Sequence, residues 1–348
     1  MKKFIIKTLF YFIPFLCVYG GYKFVRHNIS GDIGTLGQIP FGKSYNENLK
    51  QNYLTEKMVK DILVVSYEKF YPSKKTKIFT FGDSFSQQGF FGYQNYLAHI
   101  LGDSITNIER RKGYNQIAIA VSLLNSGIID ETNCQVIVLQ FVDRHTIDWL
   151  KNIDFEMLYK FPQSSENQIN KNTNNDSELH SLTSWIRLQF GYDNPIFRHD
   201  LKHDCFSHKY FSRKLFRYID DFNFQRTKPE DIEKAKENLI LLNKKFSEKG
   251  IKMIFLIASD KYDVYRPFMS DNSLPVDTTT DGLSNLPDVC VINAKPILQE
   301  MVRNGEKDVY MVNDTHWSYK ASEAVAEEIA RKIELLWTHY YYPRLSDL

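Results

Sequence analysis

The chain has 348 residues, 43% of them hydrophobic and 25% charged, a balance that places it among ordinary globular proteins. A net charge of +2 gives no electrostatic basis for nucleic-acid binding. Four cysteines, Cys17, Cys134, Cys205 and Cys290, do not make a disulfide framework and read as buried free thiols.

At the N-terminus, Lys2, Lys3 and Lys7 precede an uncharged, mostly apolar run from Thr8 to Tyr22, which Lys23, Arg26 and His27 close. A basic start followed by an apolar run is the pattern of an export signal. No small-x-small cleavage site follows, so residues 1–25 are expected to stay as a signal anchor, with Lys7 and Lys23 snorkelling to lengthen the span. The lysines on the N-terminal side favour a single-pass, N-in orientation with the remainder extracytoplasmic. Residues 26–47 carry Gly, Pro, Ser and Asn and read as a linker. A domain over residues 48–348 follows, with a helix expected at Leu54–Tyr71.

An α/β alternation then begins. Expected strands are Lys77–Phe81, Ser104–Glu109 and Gln135–Phe141, with helices at Gln94–Leu101 and Asn115–Leu124 between them. The third strand is apolar on both faces, as a central parallel strand should be. Residues from about 145 to 226 interrupt the pattern as an insertion: Ser164–Ser177 is polar and Asn-rich, and Trp185–Phe224 mixes aromatics with His, Arg and Lys. Regular structure returns with a capping-box pattern at Thr227 and Glu230, opening a helix with Ile232, Ala235, Leu239, Leu242 and Phe246 on one stripe and Gly250 at its stop. Strands at Ile251–Ile257 and Val289–Asn293, a helix at Pro296–Val302 and a last helix at Tyr319–Trp337, with Ser318 as its N-cap, complete the chain. Strands alternating with amphipathic helices predict a three-layer α/β/α sandwich with a parallel sheet.

Two stretches carry chemistry. Gly82-Asp83-Ser84 directly follows the first strand, which puts a serine hydroxyl at the carboxyl edge of the sheet. Near the other end, Asn313-Asp314-Thr315-His316-Trp317-Ser318 offers an imidazole to take the serine proton and a carboxylate to hold that imidazole. Ser84, His316 and Asp314 are the candidate nucleophile, base and orienting acid. The alternative for these residues is that Ser84 caps a helix and His316 is a satisfied core histidine.

These motifs resemble those of the SGNH (GDSL-type) hydrolase superfamily. Gly-Asp-Ser-Phe-Ser and Asn-Asp-Thr-His-Trp-Ser are similar to the motifs of membrane-anchored SGNH acetyltransferases of the alginate O-acetylation type. Asp-x-His is the spacing of that type, although there the pair precedes the serine and here it follows. The resemblance implies a serine acyl-enzyme on the Ser84–His316–Asp314 triad, a glycan acceptor, and a multi-pass membrane acyltransferase as acyl supplier. It also implies oxyanion donors besides the Ser84 N–H: Gly113 in the place of the superfamily's glycine, and Gln140 or Arg144 where its asparagine would stand. For Arg144 a structural ion pair is the competing reading. No cofactor and no metal ion is expected, although His199, His203 and His208 have spacings that can share a helical face. Arg213, Lys214 and Arg217 are candidates for gripping a polysaccharide. An acyltransferase, an esterase with the same triad and a non-catalytic glycan-binding protein all remain open on these residues.

Overall fold

The computed structural model describes residues 2–42, 45, 64–65, 76–86, 88, 91–109, 115–158, 178–192 and 194–341. Its first element, α1 (Lys2–Asn28), is a 27-residue helix that runs through Pro14 and extends beyond both ends of the apolar run. It is long and apolar enough to cross a membrane, with a mean hydropathy of 1.6 over its best 18 residues. A signal sequence meets the same description. Among the described side chains of α1, the buried one is near its end: Tyr22, whose ring lies 6.0 Å from that of Trp185. The stretch read as a linker contains a short helix, α2 (Gly31–Gly37), that buries Ile33 in the core of the domain.

Among the described residues, six strands form one parallel sheet: β1 (Val64–Val65), β2 (Ile78–Gly82), β3 (Ile105–Glu109), β4 (Val136–Val142), β7 (Lys252–Ala258) and β8 (Cys290–Asn293), in the order β1-β3-β2-β4-β7-β8. The intervening β5 (Ile196–Asp200) and β6 (Lys214–Tyr218) pair antiparallel as a separate hairpin. Val64 and Val65 correct the expectation of a helix over Leu54–Tyr71: they pair with Ile105 and Thr106 at the sheet edge. Two adjacent β-branched residues suit a pleated strand better than a helix turn. The rest of that window lies outside the described residues.

Alternation along the central strands explains the layers. Val136, Val138 and Val142 of β4 point into one core with Ile254, Leu256 and Ala258 of β7, while Ile137, Leu139 and Phe141 point into the other with Met253, Phe255 and Ile257. The first core is covered by α3 (Tyr93–Leu101) and α10 (Tyr319–Tyr341), through Tyr96, Leu97, Ala321, Val325 and Ile329. The second is covered by α4 (Gln116–Asn125) and α7 (Pro229–Glu248), through Ile117, Val121, Ala235, Leu239, Leu242 and Phe246. The expected α/β/α sandwich is the fold.

Details at helix starts differ from expectation. α7 begins at Pro229, and the Asp231 carboxylate rather than Glu230 reaches back, to the Lys228 N–H at 3.5 Å. Pro229 needs no N–H partner in a first turn, which sets the start one residue later. Ser318 does accept the Ser322 N–H through its carbonyl at 3.0 Å, as an N-cap residue should, but its hydroxyl has no hydrogen-bond partner among the described residues. Cys205 is buried, Cys134 and Cys290 are half-buried, and Cys17 is exposed on α1; all four are free.

The insertion is built into the domain. It carries α5 (Asp143–Lys151), α6 (Glu178–Gln189), the β5–β6 hairpin and a 3-10 turn over Ile219–Arg226. Leu201, Phe206, Leu215 and Phe216 from this region join the same core as Trp317 and α10. Its 159–177 stretch, which includes the Asn-rich segment, is outside the described residues.

Candidate active site

β2 delivers Ser84 to the carboxyl edge of the sheet. Gly82, its last residue, has no room for a side chain: a Cβ there would lie 2.2 Å from Ser86 Oγ and 2.6 Å from Gln140 Oε1. The next residue, Asp83, is 3% exposed and braces the turn. Its Oδ1 accepts the Phe85 N–H at 2.9 Å and the Gln140 amide at 3.0 Å, and its Oδ2 accepts the Val142 N–H at 2.7 Å. A carboxylate with three donors stitches the ends of β2 and β4 together, and Ser84 is left exposed on top of the turn. The Ser84 N–H is without a hydrogen-bond partner among the described residues, the condition an oxyanion donor must meet.

The second motif forms the tip of a narrow hairpin. Tyr310 bridges to Trp317 antiparallel, and the Ser318 N–H donates to the Val309 carbonyl at 2.9 Å. Between them Asn313 and Asp314 supply turn chemistry, with the Asp314 Oδ1 accepting the His316 N–H at 3.0 Å. Lys261, 2% exposed at the start of α8 (Lys261–Tyr265), holds the hairpin from below. Its Nζ donates to the carbonyls of Met311 (2.7 Å), Val312 (2.9 Å) and Asp314 (3.0 Å). Burial pushes the Lys261 ammonium down to about 7, against the charges of Asp32 and Asp314. Phe85, fully buried, packs against the rings of both His316 (4.9 Å) and Trp317 (5.0 Å), so that the serine turn and the histidine loop share one side chain.

The three candidate residues meet. His316 Nε2 lies 2.7 Å from Ser84 Oγ, and His316 Nδ1 lies 2.6 Å from Asp314 Oδ1. Burial pulls the imidazole pKa down, but the Asp314 hydrogen bond and the charges of Asp314, Asp32 and Asp83 outweigh it and raise it above the ordinary value. Burial pushes Asp314 up, and the His316 contacts more than offset this, leaving its carboxyl below the ordinary range. This arrangement can pass the hydroxyl proton to Nε2 while Nδ1 stays pinned by a carboxylate.

A fourth residue reaches the same loop from the segment after α1. Asp32 Oδ1 accepts the Thr315 N–H at 2.6 Å, Oδ2 accepts the Thr315 hydroxyl, and Oδ2 lies 3.6 Å from His316 Nδ1.

Two of the expected oxyanion side chains, Gln140 and Arg144, pair with carboxylates. Gly113 lies outside the described residues. Gln140 is fully buried, and both ends of its amide face Asp83: Oε1 accepts the Asp83 N–H at 3.1 Å while Nε2 donates to Oδ1. It occupies a position on the Val136–Val138 face of β4 where an apolar side chain would leave Asp83 unbraced. Arg144 pairs with Asp260 through Nη1, donates its backbone N–H to the same carboxylate at 2.9 Å, and lies 3.7 Å from Asp221. The structural ion pair is therefore what its guanidinium makes here.

The residues proposed to hold sugar are also committed. Arg217 is 5% exposed and sandwiched between Phe222 (3.8 Å) and Phe197 (4.4 Å), so it is a packed core cation and not a surface grip. Lys214 pairs with Asp200, and Arg213 donates to the Leu201 and Lys202 carbonyls. The three histidines do not converge: His208 Nε2 bonds the Phe41 carbonyl at 2.7 Å, His199 faces Arg217, and His203 packs edge-on to Phe268.

Two groups among the described residues bring possible metal-ligand atoms within 4.8 Å of one another: Asp32–Asp314–His316 and the buried Asp143–Asp263–Asp277. Hydrogen bonds already engage the first group. In the second, burial followed by the charges of Asp277 and Asp260 pushes the Asp143 carboxyl up to about 8.

Residues 215–341 match the family model described as the SGNH hydrolase-like domain of the acetyltransferase AlgX. The matched stretch contains Asp314 and His316 and leaves out Ser84. No curated protein matches this chain. The resemblance read from the two motifs is thus borne out over the C-terminal third, and the parallel sheet flanked by helices agrees with it.

Proposed function

We propose that this protein is a membrane-anchored, extracytoplasmic serine acyltransferase that O-acetylates a cell-surface or exported polysaccharide through an acyl-enzyme on Ser84. The observation that carries the reading is the Ser84–His316–Asp314 relay, with contacts of 2.7 and 2.6 Å. His316 Nε2 takes the proton from Ser84 Oγ as that oxygen attacks the acyl carbonyl of the donor. The Ser84 N–H faces the developing oxyanion, and His316 returns the proton to the departing group. A sugar hydroxyl then gives its proton to His316, attacks acetyl-Ser84, and leaves as the O-acetyl ester with the Ser84 hydroxyl restored.

The position of the site relative to α1 supports the donor side of this reading. At 1.5 Å per residue α1 is about 40 Å long, enough to cross a bilayer. Two residues beyond its end, Ser30 Oγ already accepts a hydrogen bond from Asn313 Nδ2 at 2.9 Å. A triad this close to the mouth of the anchor suits an acetyl group handed over at the membrane face by a multi-pass acyltransferase, with a glycan as acceptor. Ser84 is also open to solvent, which favours one alternative: an O-acetyl esterase in which water takes the place of the sugar.

The test is to incubate the full-length protein in detergent with 4-nitrophenyl acetate, with and without oligosaccharides. Acetylation of Ser84, absent in Ser84→Ala, is expected, with acetylated sugar forming faster than free acetate. Acetate release that ignores the sugar would assign the protein to the esterases, and an unlabelled Ser84 would remove the catalytic reading altogether.

A further inference from the structure

The contact between the post-anchor segment and the histidine loop is closer than packing requires. Besides the Ser30–Asn313 hydrogen bond, the Gly34 N–H donates to the Asn313 carbonyl at 3.3 Å. Gly31 sits between them at φ +75°, and a Cβ there would lie 2.1 Å from the Asn313 carbonyl oxygen. Only glycine allows both that backbone conformation and that approach. The docked turn places the Asp32 carboxylate astride the loop: one oxygen on the Thr315 N–H, the other shared between the Thr315 hydroxyl and the approach to His316 Nδ1 at 3.6 Å. His316 Nδ1 therefore faces two carboxylates, from segments 282 positions apart in the sequence for Asp32 and Asp314.

We propose that Asp32 is a positioning residue for the His316–Asp314 pair, carried to it by the segment that leaves the membrane helix. Asp32 touches neither Ser84 nor any reacting atom; it acts through the imidazole. Fixing the Thr315 backbone sets the tilt of the ring that follows, and its negative charge favours the imidazolium that forms when the serine proton is taken. The groups facing His316 are Asp314 on its own loop, Asp32 on the strap, Asp83 at the end of β2 and, beneath the loop, Lys261 on the Asp314 carbonyl. Of the three carboxylates, Asp314 bonds the ring and Asp83 is bound up in the β2–β4 brace. Asp32 is the one whose presence depends on docking of the chain next to the anchor, which makes complete assembly of the base conditional on that docking.

This inference rests on the acyl-enzyme reading, and one experiment separates the two. The rate of Ser84 acetylation by 4-nitrophenyl acetate is followed by intact-mass spectrometry on the full-length protein in detergent, from about pH 5 to about pH 9. Asp32→Asn keeps an acceptor for the Thr315 N–H and removes the charge; Gly31→Ala keeps the charge and breaks the docking. Both are expected to lower the His316 pKa, moving the acid limb of the rate profile to lower pH by about one unit, with a severalfold drop in the plateau. A limb that stays in place in both variants, whatever happens to the plateau, assigns Asp32 a purely structural role and overturns the proposal. No acetylation of Ser84 in the unaltered protein would instead sink the acyl-enzyme reading itself.

Discussion

Ser84 Oγ and His316 Nε2 lie 2.7 Å apart across a chain separation of 232 residues. Two unrelated supports hold them there: Asp83 fixes the serine turn to β4, and Lys261 fixes the histidine loop to α8. Phe85 packs one onto the other. Replacing Asp314 with Asn tests this relay, because the amide can still occupy the site but holds the wrong imidazole tautomer. We expect Asp314→Asn to slow Ser84 acetylation by about 10²- to 10⁴-fold with little loss of folding stability, measured by stopped-flow labelling and thermal melting.

The pH dependence follows from the sign of the His316 shift. The imidazole must be neutral to take the serine proton, and its pKa is raised above the ordinary value of 6.5. The acylation rate should therefore climb with pH along a limb centred above that value, and flatten once His316 is neutral. A raised pKa in the folded state also means that His316 adds to stability at pH below its ordinary value. That contribution is lost as pH rises through the folded value. A limb centred below 6.5 in the full-length protein would contradict the two-carboxylate environment.

The triad was legible in the sequence because each part sits on local structure that the residues announce. An apolar run before Gly82-Asp83-Ser84 marks a strand end, and Asn313-Asp314 before an amphipathic helix marks a turn. The supporting residues were not legible. Asp32 lies in a Gly-rich stretch with no periodicity, and its partner Thr315 is 283 positions away. Lys261 looks like any lysine after a strand until the hairpin folds over it. The partners of Gln140 and Arg144 were hidden for the same reason: their residue types fit oxyanion donors, and only the register of β2, β4 and β7 brings Asp83 and Asp260 within their reach. At Val64–Val65, a helical spacing in the flanking residues hid a strand that exists because β3 offers it an edge.

Phe85 links the two halves of the site, so its removal should be felt in both stability and rate. It is fully buried, and truncation to Ala opens a cavity beneath His316 and Trp317. A loss of about 3–5 kcal/mol is expected for Phe85→Ala, read as a shift in the urea midpoint, whereas Phe85→Leu should lose less than half of that. The surviving folded Phe85→Ala protein should acetylate more slowly, because the imidazole no longer packs against the Phe85 ring. Unchanged labelling by that folded fraction would show that Lys261 and Asp314 suffice to hold His316.

The Asp83 brace makes a sharper demand. Removing its carboxylate strands the Phe85 N–H, the Val142 N–H and the Gln140 amide in a dry site, at about 1–3 kcal/mol each. Asp83→Ala is expected to lower the melting temperature strongly and to abolish labelling. Asp83→Asn, which keeps one acceptor, should fall between it and the unaltered protein on both measures. If Asp83→Ala melts normally yet fails to label, Asp83 acts on the chemistry and not on the turn.

Arg144 offers the cleanest separation of a structural role from a catalytic one. Asp260, its partner, is 1% exposed, so removing the guanidinium leaves a buried carboxylate with no cation, held by the Arg144 backbone N–H and with Asp221 nearby. Breaking such a pair from one side costs about 3–5 kcal/mol, while removing both charges together is often close to neutral. Arg144→Met should therefore melt early, and Arg144→Met combined with Asp260→Asn should regain most of the stability. If the pair only buttresses the wall between β4 and β7, the double variant regains its rate of Ser84 acetylation along with its fold. A double variant that folds normally but stays about 10²- to 10³-fold slow would place the guanidinium at the oxyanion, since that is the scale on which a lost oxyanion donor is felt.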